Sequence, residues 1–183
     1  MVKFYAMVSR RVDRNFYQRD VLQVAPELLG MALVRQIEGG RTERFIISEV
    51  EAYRGTDDMA CHASKGRTAR TEAMFLPGGH LYVYLIYGMH WMMNIVTGME
   101  GNPQAALVRG VMDCNGPGRV TRKLSIDKAF NGEDLCSSVR VWVEETDLMP
   151  GVEYGPRIGV SYAGPYWANV PWRMYCPELG VPR

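Results

Sequence analysis

The chain has 183 residues, of which 47% are hydrophobic and 22% charged, and its net charge is +1. That length suits one domain with a sizeable core, and the composition excludes a disordered or low-complexity chain. The apolar run LYVYLIY is too short to cross a bilayer and meets a glycine. With no signal peptide read in MVKFYAMVSRRVDRN, a soluble, cytoplasmic protein is expected.

In chain order, residues 13–30, DRNFYQRDVLQVAPELLG, predict a short helical stretch with Asp20 as its cap and Gly30 at its end. MALVRQIEGG predicts a strand, Gly39-Gly40 its turn, and RTERFIISEVEAY the return strand. Residues 54–79 are polar and loop-like, apart from EAMF. LYVYLIYGMHWMMNIV at 81–96 alternates as a hairpin. Tyr82, Tyr84 and Ile86 share one face, and Leu81, Val83, Leu85 and Tyr87 the other. Gly88-Met89 predicts a two-residue type II′ turn with Tyr87 at its approach. AALVRGVM predicts a strand interrupted by Arg109, GPGRVTRKLSI a helix and SVRVWVEE another strand. PRIGVSYAGPYWANVPWRMY predicts a strand, a glycine-rich turn and a last strand. The sum is α+β: a single domain over residues 1–183, a mostly antiparallel curved sheet with a few helices and a protruding β-hairpin.

Charge is segregated along the chain. Residues 59–128 carry eight basic and four acidic residues; residues 129–156 carry six acidic and one basic. Ordinary solvated charge explains this as well as an anionic partner facing the basic part does. The 17 arginines against 4 lysines lean toward phosphate, which the planar guanidinium grips well.

The four cysteines form no C-x-x-C pair, and His62, His80 and His90 have no H-E-x-x-H spacing, so no metal is expected. No lysine stands out as a Schiff-base nucleophile, and no P-loop or dinucleotide fingerprint is present, so chemistry here points to activated water and no cofactor. Glu51, on the face of its strand that also carries Glu49, and beside Tyr53, is the candidate carboxylate for orienting or deprotonating that water; a solvated strand edge is the other reading of the same pattern. Tyr53, His62 and Tyr84 would make flat walls for an unstacked base if the fold gathers them, although strand tyrosines also pack cores. Tyr87, a large ring beside a turn, has the form of a wedge that pries a duplex open.

EVEAYRG at 49–55, ACHASKGRTARTEAMF at 60–75, GGHLYVYLIYGMHWMMNIV at 78–96, AALVRG at 105–110, NGPGRVTRKLSI at 115–126 and RIGVSYAGPYW at 157–167 carry a resemblance. Together with FYQRDVLQVAPELLGMALVR, they make the chain resemble the alkyladenine (3-methyladenine) DNA glycosylase family over nearly its whole length. The resemblance implies a monofunctional enzyme, and a monomer, of base excision repair. It would flip alkylated or deaminated purines (3-methyladenine, 7-methylguanine, hypoxanthine, ethenoadenine) out of double-stranded DNA and leave an abasic site. It implies Glu51 as general base, Tyr53, His62 and Tyr84 as pocket walls, and Asn94 as a screen against guanine. It further implies Tyr87 as the intercalating wedge aided by Met89, and Arg109 as a backbone contact. A non-catalytic damage-sensing binding module with the same pocket, or an RNA- or nucleotide-handling enzyme on a related fold, are the alternative readings.

Overall fold

Strand β2 (Thr42–Arg54) is the axis on which the fold is built. The computed structural model describes residues 10–180; most of the N-terminal stretch read as leaderless lies outside them. Strand β1 (Ala32–Gln36) pairs antiparallel with the first half of β2 through a turn containing Gly39 and Gly40. The second half of β2 pairs with β5 (Gln104–Val111) on one side and β9 (Arg173–Tyr175) on the other. Strands β3 (Leu81–Ile86) and β4 (His90–Thr97) extend the sheet beyond β5, and β7 (Val141–Glu144) closes the other end against β1. Short β6 (Cys114–Asn115) and β8 (Glu153–Gly155) lie on β5 and β9. All the strand pairings described are antiparallel. The architecture is therefore the expected α+β class, with a mostly antiparallel sheet that does not close into a barrel.

The N-terminal helical stretch divides in two: α1 (Arg14–Tyr17) and α2 (Val21–Leu28). Each starts on an aspartate cap, Asp13 and Asp20, whose carboxylates accept a free amide of the first turn. Helix α2 buries Val21, Val24, Ala25 and Leu28 in the main core, and Gly30 follows its end at φ 85°. Helix α3 (Pro117–Lys123) starts with proline in its first turn, as GPGRV predicts.

The sheet has two unlike faces. Leu81, Val83, Met93, Ile95, Ala106, Val108, Val50 and Ala52 face the main core with α2 and α3. The opposite face, offset by one residue on every strand, carries Tyr82, Tyr84, Asn94, Leu107, Arg109, Glu49, Glu51 and Tyr53. Full burial stabilises each valine, leucine, isoleucine and methionine of the first set by about 1.5–3 kcal/mol, which locks the register of the second.

Two expectations fail. The hairpin tip is not a two-residue turn on Gly88-Met89: Ile86 pairs with His90, leaving Tyr87, Gly88 and Met89 in the loop. The Met89 amide donates to Ile86 O, and both residues between them have positive φ, 52° at Tyr87 and 68° at Gly88. That is the φ pattern of a type I′ turn, whose twist matches the flanking strands, followed by one bulged residue. The second failure is the tail. RIGVSY forms no strand; it runs as loop into a 3₁₀ turn (Ser161–Ala163), and Pro165 opens α4 (Pro165–Asn169) before β9. Its backbone is spent elsewhere, because the Ile158 amide donates to the Glu51 carboxylate and not to a ladder.

Tyr87 is a non-glycine residue in the left-handed region, where a bulky L-side chain costs about 1–2 kcal/mol. Its ring is 83% exposed, so packing does not compensate. Asparagine tolerates this conformation far better. We expect Tyr87→Asn to stabilise the fold by up to about 1 kcal/mol, seen as a higher denaturant midpoint at unchanged slope. A lower midpoint would show that the ring is held by contacts that outweigh its strain.

Candidate active site

Register assembles the site. Tyr82 pairs with Asn94, Asn94 with Leu107, and Leu107 with Glu51, so one transverse row crosses β3, β4, β5 and β2. Directly paired residues share a face, and residues two further along add Tyr84, Arg109 and Tyr53 to it. Beside Glu51, β2 is irregular between Ile47 and Val50, a bulge of the kind that re-aims side chains next to active sites. A cleft of about 570 Å³ opens over this face, lined by Tyr53, His62, Tyr84, Tyr87, Leu107, Arg109, Ile158 and Tyr162 among others. An inner hollow of about 40 Å³ adjoins it, sharing Tyr53, His62, Tyr84 and Tyr162 and adding Tyr82 and Asn94.

Glu51 has no exposed surface. Its Oε1 accepts the Ile158 amide at 2.7 Å, and its Oε2 accepts the Tyr53 hydroxyl at 2.9 Å. Arg109 Nε lies 3.4 Å from Oε1 and 3.3 Å from Glu49 Oε1, and Glu49 in turn holds Arg173 Nε at 2.5 Å. Two buried carboxylates thus interleave with two guanidinium groups. Burial pushes the Glu51 carboxyl above the ordinary glutamate range, against the pull of Arg109, the Ile158 amide and Tyr53. Burial and the adjacent Glu51 keep the Tyr53 hydroxyl protonated.

Tyr82 and Tyr84 stack at 5.1 Å with planes tilted 33°, and His62 meets Tyr84 edge-on at 4.5 Å. His62 Nδ1 lies 2.9 Å from the Tyr82 hydroxyl. Burial, then Arg70 and Lys65, lower the His62 pKa to about 4, so the ring is neutral at physiological pH. The Asn94 side chain is buried and donates Nδ2 to Tyr82 O at 3.0 Å. It reaches the inner hollow and not the outer cleft. Tyr87 stands on the rim of the cleft, with Met89, 67% exposed, on the far side of the loop toward Trp91 and Arg122.

The sequence-derived residues are therefore gathered: Tyr53, His62, Tyr84 and Arg109 line the cleft, Glu51 lies buried behind Tyr53, Arg109 and Ile158, Asn94 lines the inner hollow, and Tyr87 and Met89 stand at the tip. Arg109 turns inward to the carboxylates. Sequence reasoning passed over three contributors. Tyr82 shares the alternation of Tyr84 and was within reach of that argument. The Ile158 amide is a backbone donor, which leaves no mark in sequence. Tyr162, whose hydroxyl donates to Ala60 O at 3.0 Å across the mouth of the hollow, comes from a segment read as strand and turn. Among the described residues no His, Cys, Asp and Glu cluster could hold a metal ion, and no helix is long and apolar enough to cross a membrane.

The charge pattern also resolves. Eleven arginines are committed to ion pairs within the chain. Arg11 and Arg35 hold backbone carbonyls. Arg70, Arg119 and Arg122 make no ion pair among the described residues. Arg70 lies over the Tyr84 ring at the cleft, and Arg119 and Arg122 line a hollow with His90 beside it. The acidic segment is largely neutralised, Glu133 by Arg140, Asp134 by Arg14, Glu144 by Arg44 and Glu145 by Arg10.

Comparison with known proteins extends the picture. Residues 15–113 and 111–179 match the family model described as methylpurine-DNA glycosylase. A protein of Methanocella arvoryzae is 44% identical over 90% of this chain and 91% of its own length. One of Desulfitobacterium hafniense is 41% identical over 92% and 96%, and one of Myxococcus xanthus 46% identical over 90% and 89%. All three bear the name "Putative 3-methyladenine DNA glycosylase". With both family segments covering almost all the described residues, and similarity running nearly end to end, the chain belongs to the methylpurine-DNA glycosylase family.

Proposed function

We propose that this chain is a monofunctional DNA glycosylase that hydrolyses the N-glycosidic bond of alkylated or deaminated purines turned out of duplex DNA. The observation that carries the reading is the buried Glu51 carboxylate, held by two donors, Tyr53 and Ile158, that themselves line an aromatic cleft. The duplex lies across the rim, its phosphates drawn by Arg70 on one side and by Arg119 and Arg122 on the other. Tyr87 enters the stack and fills the space of the displaced nucleotide. Unstacking costs a few kcal/mol, least for a damaged base, and the inserted ring offsets part of it.

The base rests among Tyr53, Tyr84 and His62, with Asn94 behind. Electron-rich ring faces favour a cationic methylpurine by about 0.5–2 kcal/mol. Water is activated between Glu51 and the sugar. Its oxygen bonds to C1′, the C1′–N bond breaks with its electron pair going to the base, and the water proton passes to Glu51. A cationic base leaves neutral. A neutral base such as hypoxanthine needs a proton or a hydrogen bond on leaving. His62 fits that need: it lines both the cleft and the hollow, and in the tautomer whose Nδ1 accepts the Tyr82 hydroxyl its Nε2–H is the donor left for a base. Lys65 is among the residues lining the cleft, but the buried Glu51 carboxylate suits a water nucleophile, so the product is an intact abasic site.

On a duplex carrying one 3-methyladenine or hypoxanthine, single-turnover excision read by alkali cleavage should fall roughly 10²–10⁴-fold in Glu51→Gln. Tight lesion binding without wild-type nicking would instead favour a damage-sensing module, and a preference for RNA would favour an RNA-handling enzyme. The pH profile has a defined sign. The rate requires ionised Glu51, whose pKa lies above the ordinary 4.5, so the acid limb falls at higher pH than that value. His62, near 4, adds no limb around 6.5. Retained excision in Glu51→Gln would remove the carboxylate from the mechanism.

Asn94 closes the hollow where a 2-amino group would project. Asn94→Ser opens that wall and should raise excision of guanine-type lesions relative to adenine-type ones on a panel of single-lesion duplexes. Unchanged selectivity would show that the screen lies elsewhere.

A further inference from the structure

Arg157 and Asp58 form an ion pair with no exposed side-chain surface on either partner. The guanidinium binds both carboxylate oxygens, Nη1 to Oδ2 at 2.5 Å and Nη2 to Oδ1 at 2.9 Å. The same nitrogens reach Ala52 O at 3.0 Å and Trp167 O at 3.2 Å. The guanidinium carbon lies 4.8 Å from the centre of the Tyr53 ring and 5.1 Å from that of Trp172. Asp58 also accepts the amides of Arg54 and Ala60, at 3.1 and 3.0 Å. One pair therefore ties the end of β2, the loop leading to His62, the loop 156–160 and α4.

Stability is a weak reason for such a pair. Each buried ion loses several kcal/mol of hydration, and well-packed apolar replacements are often neutral or better. Its connections are more informative. Ile158, whose amide holds Glu51 Oε1, is the next residue after Arg157. Tyr53, whose ring contacts the guanidinium, donates its hydroxyl to Glu51 Oε2. Both donors on the carboxylate are thus set by the same guanidinium, one through the chain and one through a ring face.

We infer that Arg157 and Asp58 are positioning residues for the hydrolytic step. They hold the Ile158 amide and the Tyr53 hydroxyl on Glu51, and the loop carrying His62 in register with them. This rests on the reading of Glu51 as the water-activating base. Both donors favour the ionised carboxylate, so loosening them raises the pH at which Glu51 ionises and misaligns its oxygens. Lysine keeps the charge but not the planar fork that makes four bonds and lies against a ring.

The test compares Arg157→Lys with wild type and Glu51→Gln, using single-turnover excision across pH, lesion-duplex affinity and thermal melting. Excision in Arg157→Lys should drop about 10- to 100-fold, the scale of a small misplacement at a reacting centre. Its acid limb should move upward, while affinity changes less than the rate. Trp172→Leu, at a half-buried ring outside the cleft lining, removes one neighbour of the guanidinium and should shift the limb the same way with a smaller loss. Trp172→Phe should restore both. Trp172→Leu carries the test if Arg157→Lys does not fold. An acid limb unmoved from wild type in the folded variants overturns the inference, whether the rate is normal or falls only with the folded fraction. Excision persisting in Glu51→Gln overturns the reading of Glu51 and the inference with it. An inactive Glu51→Gln beside Arg157 and Trp172 variants with normal profiles overturns the positioning role alone.

Discussion

The cross-strand register of β2, β5, β4 and β3 is the constraint on which the rest of the molecule depends. Glu51, Leu107, Asn94 and Tyr82 stand abreast because four strands pair in one frame. A slip of one residue on any of them would exchange the faces. Tyr84 would turn toward the aliphatic core, and Val83 toward the cleft. The frame is enforced from the other side, where Val50, Ala52, Val83, Met93, Ile95, Ala106 and Val108 are buried under α2 and α3. The core thus works as the ruler of the site. A hydrophobic face with no chemistry of its own determines where the carboxylate and the rings fall.

Electrostatics follows from what the fold has already used. An excess of arginine in sequence reads as appetite for phosphate, yet most of these side chains satisfy carboxylates or carbonyls inside the chain. Surface pairs of this kind contribute little to stability, about 0–1 kcal/mol each. Their larger effect is to cancel field over the acidic segment and the far end of the sheet. Among the described residues, Arg70, Arg119 and Arg122, around the aromatic cleft, make no ion pair. A protein of net charge +1 can therefore present a local positive surface. The arginine count alone could not reveal this, because pairing depends on partners far apart in sequence, such as Arg157 with Asp58.

Legibility in sequence tracks how local each determinant is. The Asp20 cap, the Gly39-Gly40 turn, the alternation of β3 and the proline-started α3 are set within a few residues, and all are readable. The hairpin was readable as a hairpin but not as to its turn. A tyrosine at positive φ runs against its own preference, and composition there points to Gly88-Met89 instead. The tail misled for a different reason. RIGVSY has strand composition, but its Ile158 amide is drawn to Glu51, and its Val160 carbonyl accepts the Ala163 amide in a local 3₁₀ turn. The residues named from sequence are gathered by register on one face. Of those passed over, the Ile158 amide leaves no mark in sequence, Tyr162 comes from the misread tail, and Tyr82 lay within reach of the alternation that gave Tyr84.

Two locally unfavourable features lie at the rim of the cleft and beneath its lining. At the rim, Tyr87 holds a strained backbone and an exposed ring. At the floor, Glu51 is a carboxylate without solvent, steadied by an amide, a phenol and a guanidinium. Neither helps the fold. A surface turn with glycine or asparagine and an apolar floor would cost less. Such local conflicts persist only where the surrounding structure over-determines them. Here the over-determination is visible at the rim as the β3–β4 ladder, which continues to Ile86 and His90, and at the floor as the Asp58–Arg157 anchorage beneath Tyr53 and Ile158. The ladder is held by the hydrophobic core, and the anchorage by polar groups and two ring faces. Disturbance of the core should therefore loosen rim and floor together, whereas disturbance of the ion pair should reach the floor and leave the rim in place.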